Sequence, residues 1–312
     1  MSVPTRSYLK VPYDLRPAKQ VERRMLVDAF HRLTHSGFQI MDYQYTGFGS
    51  IYFVDFILFH RLLGITKMLS VEHDAEITRR VNFNKPFKGV EIAIKPIGDV
   101  IPTLSQDLKH VLWLDYDDII RKGELEDVVQ AAINLPAGSI LLITVDVEPP
   151  AGDRPEMWKE HYDAEAGDYL GARQNLKEFT RSRLPILNAY ILSQVIKSGL
   201  VGRQIKFLQL FNFLYKDTHR MLTLGGMIAG ESEERMLRMS SLDKTPYYRP
   251  KQGSVPYEIV VPRVTRKERI YLDRVMPCSN GWRPKEFELS KKEVTAYRDI
   301  YRLFPAYAEL LV

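Results

Sequence analysis

The dipeptides Gly47-Phe48 and Gly49-Ser50 stand between the apolar stretch "FQIMDYQY" (38–45) and an almost unbroken apolar run from Ile51. Without a Cβ, two glycines one residue apart let backbone approach a ligand closely and adopt positive φ. Taken alone, they serve equally well as a tight turn into a buried helix. Further along, acids close a series of apolar runs. Glu72 ends "KMLSVE", Asp99 follows Gly98 after "VEIAIKPI", and Asp115, Tyr116 and Asp117 end "HVLWLDYD". Asp146 falls near the end of "SILLITVDV". Each has a plain alternative: Glu72 as a strand-end acid, Asp99 as the N-cap of a short helix, the aspartates as solvated carboxylates. Asp55 and His60 lie inside the apolar run after the glycines. A buried carboxylate needs a partner, and Arg79, Arg80 and His60 are the candidates.

Bulk composition narrows the classes. The 312 residues are 45% hydrophobic and 27% charged, which allows a sizeable core in one large α/β domain or two modest ones. The longest apolar run, 51–59, is interrupted by Asp55 and is too short to span a bilayer. The first nineteen residues lack the apolar centre of a signal peptide. One cysteine, Cys278, excludes an internal disulfide framework and a multi-cysteine metal site. These features point to the cytoplasm and to no membrane. The formal net charge of +5 is mildly basic, with clusters at Arg23-Arg24, Arg79-Arg80 and "RVTRKER" (263–269). Solvated helix faces account for such clusters better than phosphate binding, so nucleic acid is possible as a partner but not indicated.

The elements that must position these residues follow from periodicity. Residues 17–36 predict a helix, with Val21, Met25, Leu26, Phe30 and Leu33 at helical spacing and Gly37 as its stop. Strands are expected at 38–45, 67–72, 90–97, 110–117 and 139–147, and helices at 51–63, 75–81, 123–135 and 185–198. The strands are apolar without alternation, the pattern of a parallel sheet covered on both faces. Right-handed crossovers gather the strand C-terminal ends on one edge, where open α/β sheets bind ligands. Residues 206–230 read as an antiparallel hairpin around the turn Lys216–His219, with His219 exposed. The polar segment 148–183 reads as an inserted loop or lid, in which Trp158, His161 and Tyr162 could contact an acceptor. The expected fold is α/β: a seven-stranded, mostly parallel sheet with a C-terminal antiparallel hairpin and helices on both faces. An N-terminal helical extension (1–37) precedes the domain at 38–230, and a C-terminal appendage (231–312) follows it. In the appendage, Tyr297, Tyr301, Phe304 and Tyr307 form an aromatic stripe better suited to packing than to base stacking. A protein partner could bind there.

A parallel sheet closed by such a hairpin resembles the class I S-adenosylmethionine-dependent methyltransferases, over about residues 38–230. "YTGFGS" stands where that family has its glycine-rich loop, and "WLDYDD" matches the stretch beside the transferred methyl. The texture of the chain is also similar to bacterial proteins loosely labelled O-methyltransferase. The resemblance implies S-adenosylmethionine as cofactor. Gly47, Phe48, Gly49 and Ser50 would form its loop, Glu72 would hold the ribose hydroxyls, Asp99 the adenine amine, and Tyr116 would also contact the cofactor. Asp115 and Asp117 would face the reacting methyl, with Asp115 the first choice for catalysis.

The sequence departs from the family pattern in having two loop glycines with bulky Phe48 between them. Tyr52 stands where a dinucleotide fingerprint places its third glycine, which disfavours a nicotinamide-dependent oxidoreductase. A catalytically silent, partner-binding scaffold is the other alternative. Asp115, Asp117 and Asp146 resemble the hard-oxygen ligand set of metal-dependent catechol-type enzymes, but Asp146-Val147 replaces the usual Asp-Asn pair. A divalent metal is therefore not favoured. No Asn/Asp-Pro-Pro-Tyr motif follows strand four, which argues against a nucleobase amino group as acceptor. The methyl acceptor, with an oxygen preferred, is not identified by the residues.

Overall fold

The computed structural model describes residues 16–305. Helix α1 (Pro17–His35) starts with proline at its first position, where no N–H is needed. Strand β1 is short (Gln44–Gly47) and is followed by α2 (Val54–Leu63), which Gly64 ends at φ 73°. Then come β2 (Lys67–Glu72), α3 (Thr78–Asn84), β3 (Val90–Ile94) and the single turn α4 (Ile97–Val100). The central part continues with β4 (His110–Ile119), α5 (Lys122–Asn134), β5 (Ile140–Asp146), α6 (Pro155–Leu170) and α7 (Leu184–Gly199). Strands β6 (Lys206–Lys216) and β7 (Arg220–Ala229) precede α8 (Glu231–Met239), β8 (Tyr257–Ile259), α9 (Arg266–Val275) and α10 (Lys291–Ile300).

The eight strands form one sheet in the order β3-β2-β1-β4-β5-β7-β6-β8. Strands β1 to β5 are parallel, β7 runs antiparallel to β5 and to β6, and β8 is parallel to β6. The expected seven strands are thus joined by an eighth from the C-terminal segment. The apolar, non-alternating strands bury both faces, and two core clusters lie on either side of the sheet. One side carries Trp113, Leu142, Phe213 and the apolar stripe of α1; the other carries Leu114, Ile143 and α5 to α7.

Three expectations are corrected. The first strand begins at Gln44, not Phe38, because Ile40–Asp42 forms a 3-10 turn. The helix after the glycines starts at Val54, not Ile51, because Ser50 and Phe53 both hold left-handed φ, 49° and 50°. The segment expected as a loop or lid contains α6, whose Trp158 and Tyr162 are buried. Trp158 donates to the Gly152 carbonyl, and Asn188 of α7 donates to the Tyr162 hydroxyl. In keeping with the packing role expected of the aromatic stripe, α1 and the C-terminal residues Tyr257, Leu272, Tyr297 and Phe304 share one core cluster with the sheet. Tyr297 and Phe304 of the aromatic stripe therefore pack inward, while Tyr307 lies outside the described residues.

Candidate active site at the strand ends

Gly47 ends β1 between Ser70 of β2 and Trp113 of β4. A Cβ there would stand 2.6 Å from the Tyr45 hydroxyl. Gly49 donates its N–H to Ser70 Oγ at 3.2 Å, and a Cβ on it would meet that oxygen at 2.5 Å and the Phe53 ring at 2.8 Å. Both glycines are thus required by packing. The Phe53 N–H closes the turn on the Gly49 carbonyl at 2.8 Å. Left-handed φ at Ser50 and Phe53 costs roughly 1–2 kcal/mol per residue, and strain of this kind concentrates at functional loops.

The neighbouring strand ends collect on the same edge. Glu72 Oε1 accepts the Asp74 N–H at 3.0 Å, while the side chain stays 14% exposed, so the carboxylate is oriented and still reachable. The Phe48 and Tyr116 rings lie 5.6 Å apart, and the Tyr116 hydroxyl donates to Asp127 Oδ2 at 2.8 Å. Burial, then the Asp127 charge, pushes the Tyr116 hydroxyl well above its ordinary value, so it acts as a donor. Asp99 is exposed in α4, and its charge contributes, after burial, to raising Asp127. Gly47, Phe48, Gly49, Ser50, Glu72, Asp99 and Tyr116 are therefore placed along the ends of β1, β2, β3 and β4.

The two aspartates expected to face the chemistry separate. Asp117 is exposed. Asp115 is held by Lys19 of α1, whose Nζ donates to Asp115 Oδ1 at 2.7 Å and to the Tyr215 hydroxyl at 3.1 Å. Lys19 is fully buried, with Glu22 Oε2 at 3.0 Å and the Trp113 ring centroid at 4.3 Å. Burial would lower the ammonium, but Asp115, Glu22 and Tyr215 raise it above its usual range, so it stays charged. Burial would raise Asp115, but Lys19, then Arg16 and Arg23, hold it below the usual carboxylate range. A carboxylate so stabilised is a poor proton acceptor, and the contact that Asp115 makes here is the ion pair with Lys19.

Asp55 pairs with Arg23 of α1, rather than with Arg79, Arg80 or His60. His60 instead bonds the Ile65 carbonyl and lies against Phe87. The Arg23-Arg24 cluster is not a solvated face: Arg23 is buried, and Arg24 donates to the Phe304 carbonyl. The N-terminus of α1 is fastened to the hairpin turn, where Asp217 accepts the N–H groups of Ala18 and Lys19 at 2.9 and 3.1 Å. Asp146 does not join the other aspartates. Its Oδ1 accepts the Glu148 N–H at 2.7 Å, and its Oδ2 lies 2.7 Å from His219 Nδ1. Among the described residues no group of three His, Cys, Asp or Glu side chains could hold a metal ion.

Sequence reasoning missed Lys19, Glu22, Arg23 and Tyr215. A signal was available. Lys19, Glu22, Arg23, Leu26, Phe30 and Leu33 recur at three- and four-residue intervals, so the titratable residues continue the apolar stripe of α1 toward its N-terminus.

The strand order, with parallel β1 to β5 and an antiparallel β7 inserted before β6, together with the glycine loop and strand-end acids, defines a methyltransferase of the Rossmann-like class. Residues 11–312 match the family described as "Putative O-methyltransferase", and the chain belongs to that family. A search of curated proteins finds no match. Among solved structures, Trm1 from Pyrococcus horikoshii in complex with S-adenosyl-L-methionine is similar at 15% identity and a TM-score of 0.44, over 76% of this chain and 64% of that one. P. horikoshii TYW2 in complex with MeSAdo matches at 12% identity and a TM-score of 0.36, over 64% and 61%. The Methanococcus jannaschii fibrillarin pre-rRNA processing protein matches at 11% and 0.35, over 62% and 70%. The family match and the strand order carry the assignment. Among the described residues no helix is long and apolar enough to cross a membrane.

Proposed function

We propose that the chain transfers a methyl group from S-adenosylmethionine to an oxygen of a hydroxylated acceptor. The observation that carries this reading is the convergence of the strained glycine loop with Glu72, Asp99 and Tyr116 on one sheet edge. The donor set suits the cofactor's chemistry. Loop backbone N–H groups suit an amino-acid carboxylate. Glu72, oriented yet reachable, suits a vicinal diol through charge-assisted bonds. Asp99 suits an exocyclic amine, and Phe48 with Tyr116 supplies flat apolar surface beside a purine. When bound, the sulfonium supplies an electrophilic methyl carbon. Asp115, kept ionised by Lys19, forms a fixed charged wall on the acceptor side, and Asp117 lies at its solvent margin.

Titration calorimetry with S-adenosylmethionine and its demethylated product tests the reading. Glu72→Ala removes the diol acceptor and is expected to weaken binding by roughly 1–3 kcal/mol. Absence of heat from either compound at millimolar concentration would falsify the proposal.

A further inference from the structure

The cofactor residues proposed above occupy the ends of β1 to β4, which leaves the end of β5 and the β6–β7 turn for the acceptor. Because β6 is parallel to β5 through the intervening antiparallel β7, this turn lies on the same edge as the glycine loop. It carries His219. The His219 side chain is 66% exposed, whereas the Asp146 carboxylate beneath it is 7% exposed. A carboxylate only accepts hydrogen bonds, so the short Asp146 contact places a proton on Nδ1, and in the neutral ring the free lone pair is then on Nε2. Both Asp146 oxygens are engaged, one by the Glu148 N–H and one by the ring, so the carboxylate cannot turn away.

The turn is held without this pair. Asp217 is fastened to the start of α1, and the Val147 N–H donates to the Arg220 carbonyl at 2.8 Å. The buried carboxylate is therefore not needed to shape the turn, and what it determines is the tautomer and direction of an exposed imidazole. A proton acceptor oriented by a buried acid is the arrangement that general-base catalysis requires.

We propose, resting on the transferase reading above, that His219 is the catalytic base for a hydroxyl acceptor and Asp146 its positioning residue. The acceptor O–H proton passes to His219 Nε2 as an oxygen electron pair forms the new O–CH3 bond. The C–S bond breaks with its electron pair left on sulfur, converting sulfonium to thioether. The imidazolium then returns its proton to solvent.

The test uses the full chain, methyl-tritiated S-adenosylmethionine, and catechol or an extract of the protein's own cells as acceptor source. Nitrogen-15 NMR of the histidine ring and calorimetry with the demethylated cofactor run alongside. His219→Gln is expected to lower transfer by about 10²–10⁴-fold, while cofactor affinity stays within about twofold of wild type. In the wild-type ring Nδ1 is expected to carry the proton, and Asp146→Asn is expected to redistribute it to Nε2 and lower kcat without changing cofactor affinity. Unchanged transfer by His219→Gln, or a wild-type ring protonated at Nε2 alone, overturns the dyad and leaves the transferase reading standing. Wild-type protein that binds no cofactor, or binds it and transfers no tritium to either source, overturns both.

Discussion

Replacing Lys19 with methionine keeps the volume of the side chain and deletes its charge. The ammonium it removes is fully buried and serves Asp115 at 2.7 Å, Glu22 at 3.0 Å, the Tyr215 hydroxyl at 3.1 Å and the face of Trp113. Removing one member of a buried ion pair costs about 3–5 kcal/mol, because the other member is left charged in a poor solvent. Here two carboxylates are stranded, but Glu22 already lies above its ordinary value through burial and takes up a proton readily. The expected loss is therefore about 3–5 kcal/mol at pH 8, within the range for a single pair. The sign with pH follows. In the wild type, Asp115 is depressed, and its contribution is present at neutral pH and lost as pH falls through its folded value. In Lys19→Met, burial without the ammonium favours the protonated forms of Glu22 and Asp115, so keeping these two groups ionised costs more as pH rises. The deficit against wild type should be larger at pH 8 than at pH 5. Urea denaturation followed by tryptophan fluorescence measures it, and the double variant Lys19→Met/Glu22→Gln should recover at least ~1 kcal/mol by removing one stranded charge. A deficit under about 1 kcal/mol at pH 8, or a deficit that shrinks from pH 5 to pH 8, would show that the network behaves as a solvated surface cluster.

Three further outcomes follow from the same geometry. Arg23→Met strands buried Asp55 and should cost about 3–5 kcal/mol; Arg23→Met/Asp55→Leu should restore most of it in the same denaturation assay. Gly49→Ala drives a Cβ against Ser70 Oγ and the Phe53 ring and should cost about 1–3 kcal/mol; adding Ser70→Ala should recover only part, since the ring contact remains. Burial pushes the Glu124 carboxyl up to about 7 while it caps α5 through the Arg121 N–H. Its raised value contributes stability below the unfolded range near pH 4.5 that is lost as pH rises through about 7. Glu124→Gln should flatten that decline by about 1–2 kcal/mol, discounted for its partial exposure.

The fold was legible where the physics is local or periodic. Five apolar strands alternating with helical stretches announced a covered parallel sheet, and the polar turn Lys216–His219 announced the hairpin. Glu72 does end its strand, as an apolar run that stops on an acid suggests, whereas Asp115 stands inside β4, which runs on to Ile119, and Asp99 falls in α4 beyond the end of β3. What the sequence hid was non-local. That Asp115 is paired depends on Lys19, 96 residues earlier, meeting it across the sheet. Asp55 could be seen to need a partner, but Arg79, Arg80 and His60 were the wrong candidates, since the partner is Arg23 of α1. The left-handed turn at Ser50 and Phe53 was invisible because neither residue type announces positive φ. Trp158 and Tyr162 were read as lid residues because their helix is polar on most of its surface, and the few apolar positions that bury it were outvoted.

The hairpin turn also orders the events of folding. The buried stripe of α1, with its three titratable residues, is synthesised first, yet its partners Tyr215 and Asp217 emerge 196 to 199 residues later. At about 5–20 residues per second, that interval is on the order of 10–40 s. Through it, Lys19 lacks the Tyr215 hydroxyl and the start of α1 lacks Asp217, although Asp55 and Asp115 have already been made. The core face beside Trp113 is completed only after β6 and β7 and the C-terminal residues Tyr257, Leu272, Tyr297 and Phe304 arrive.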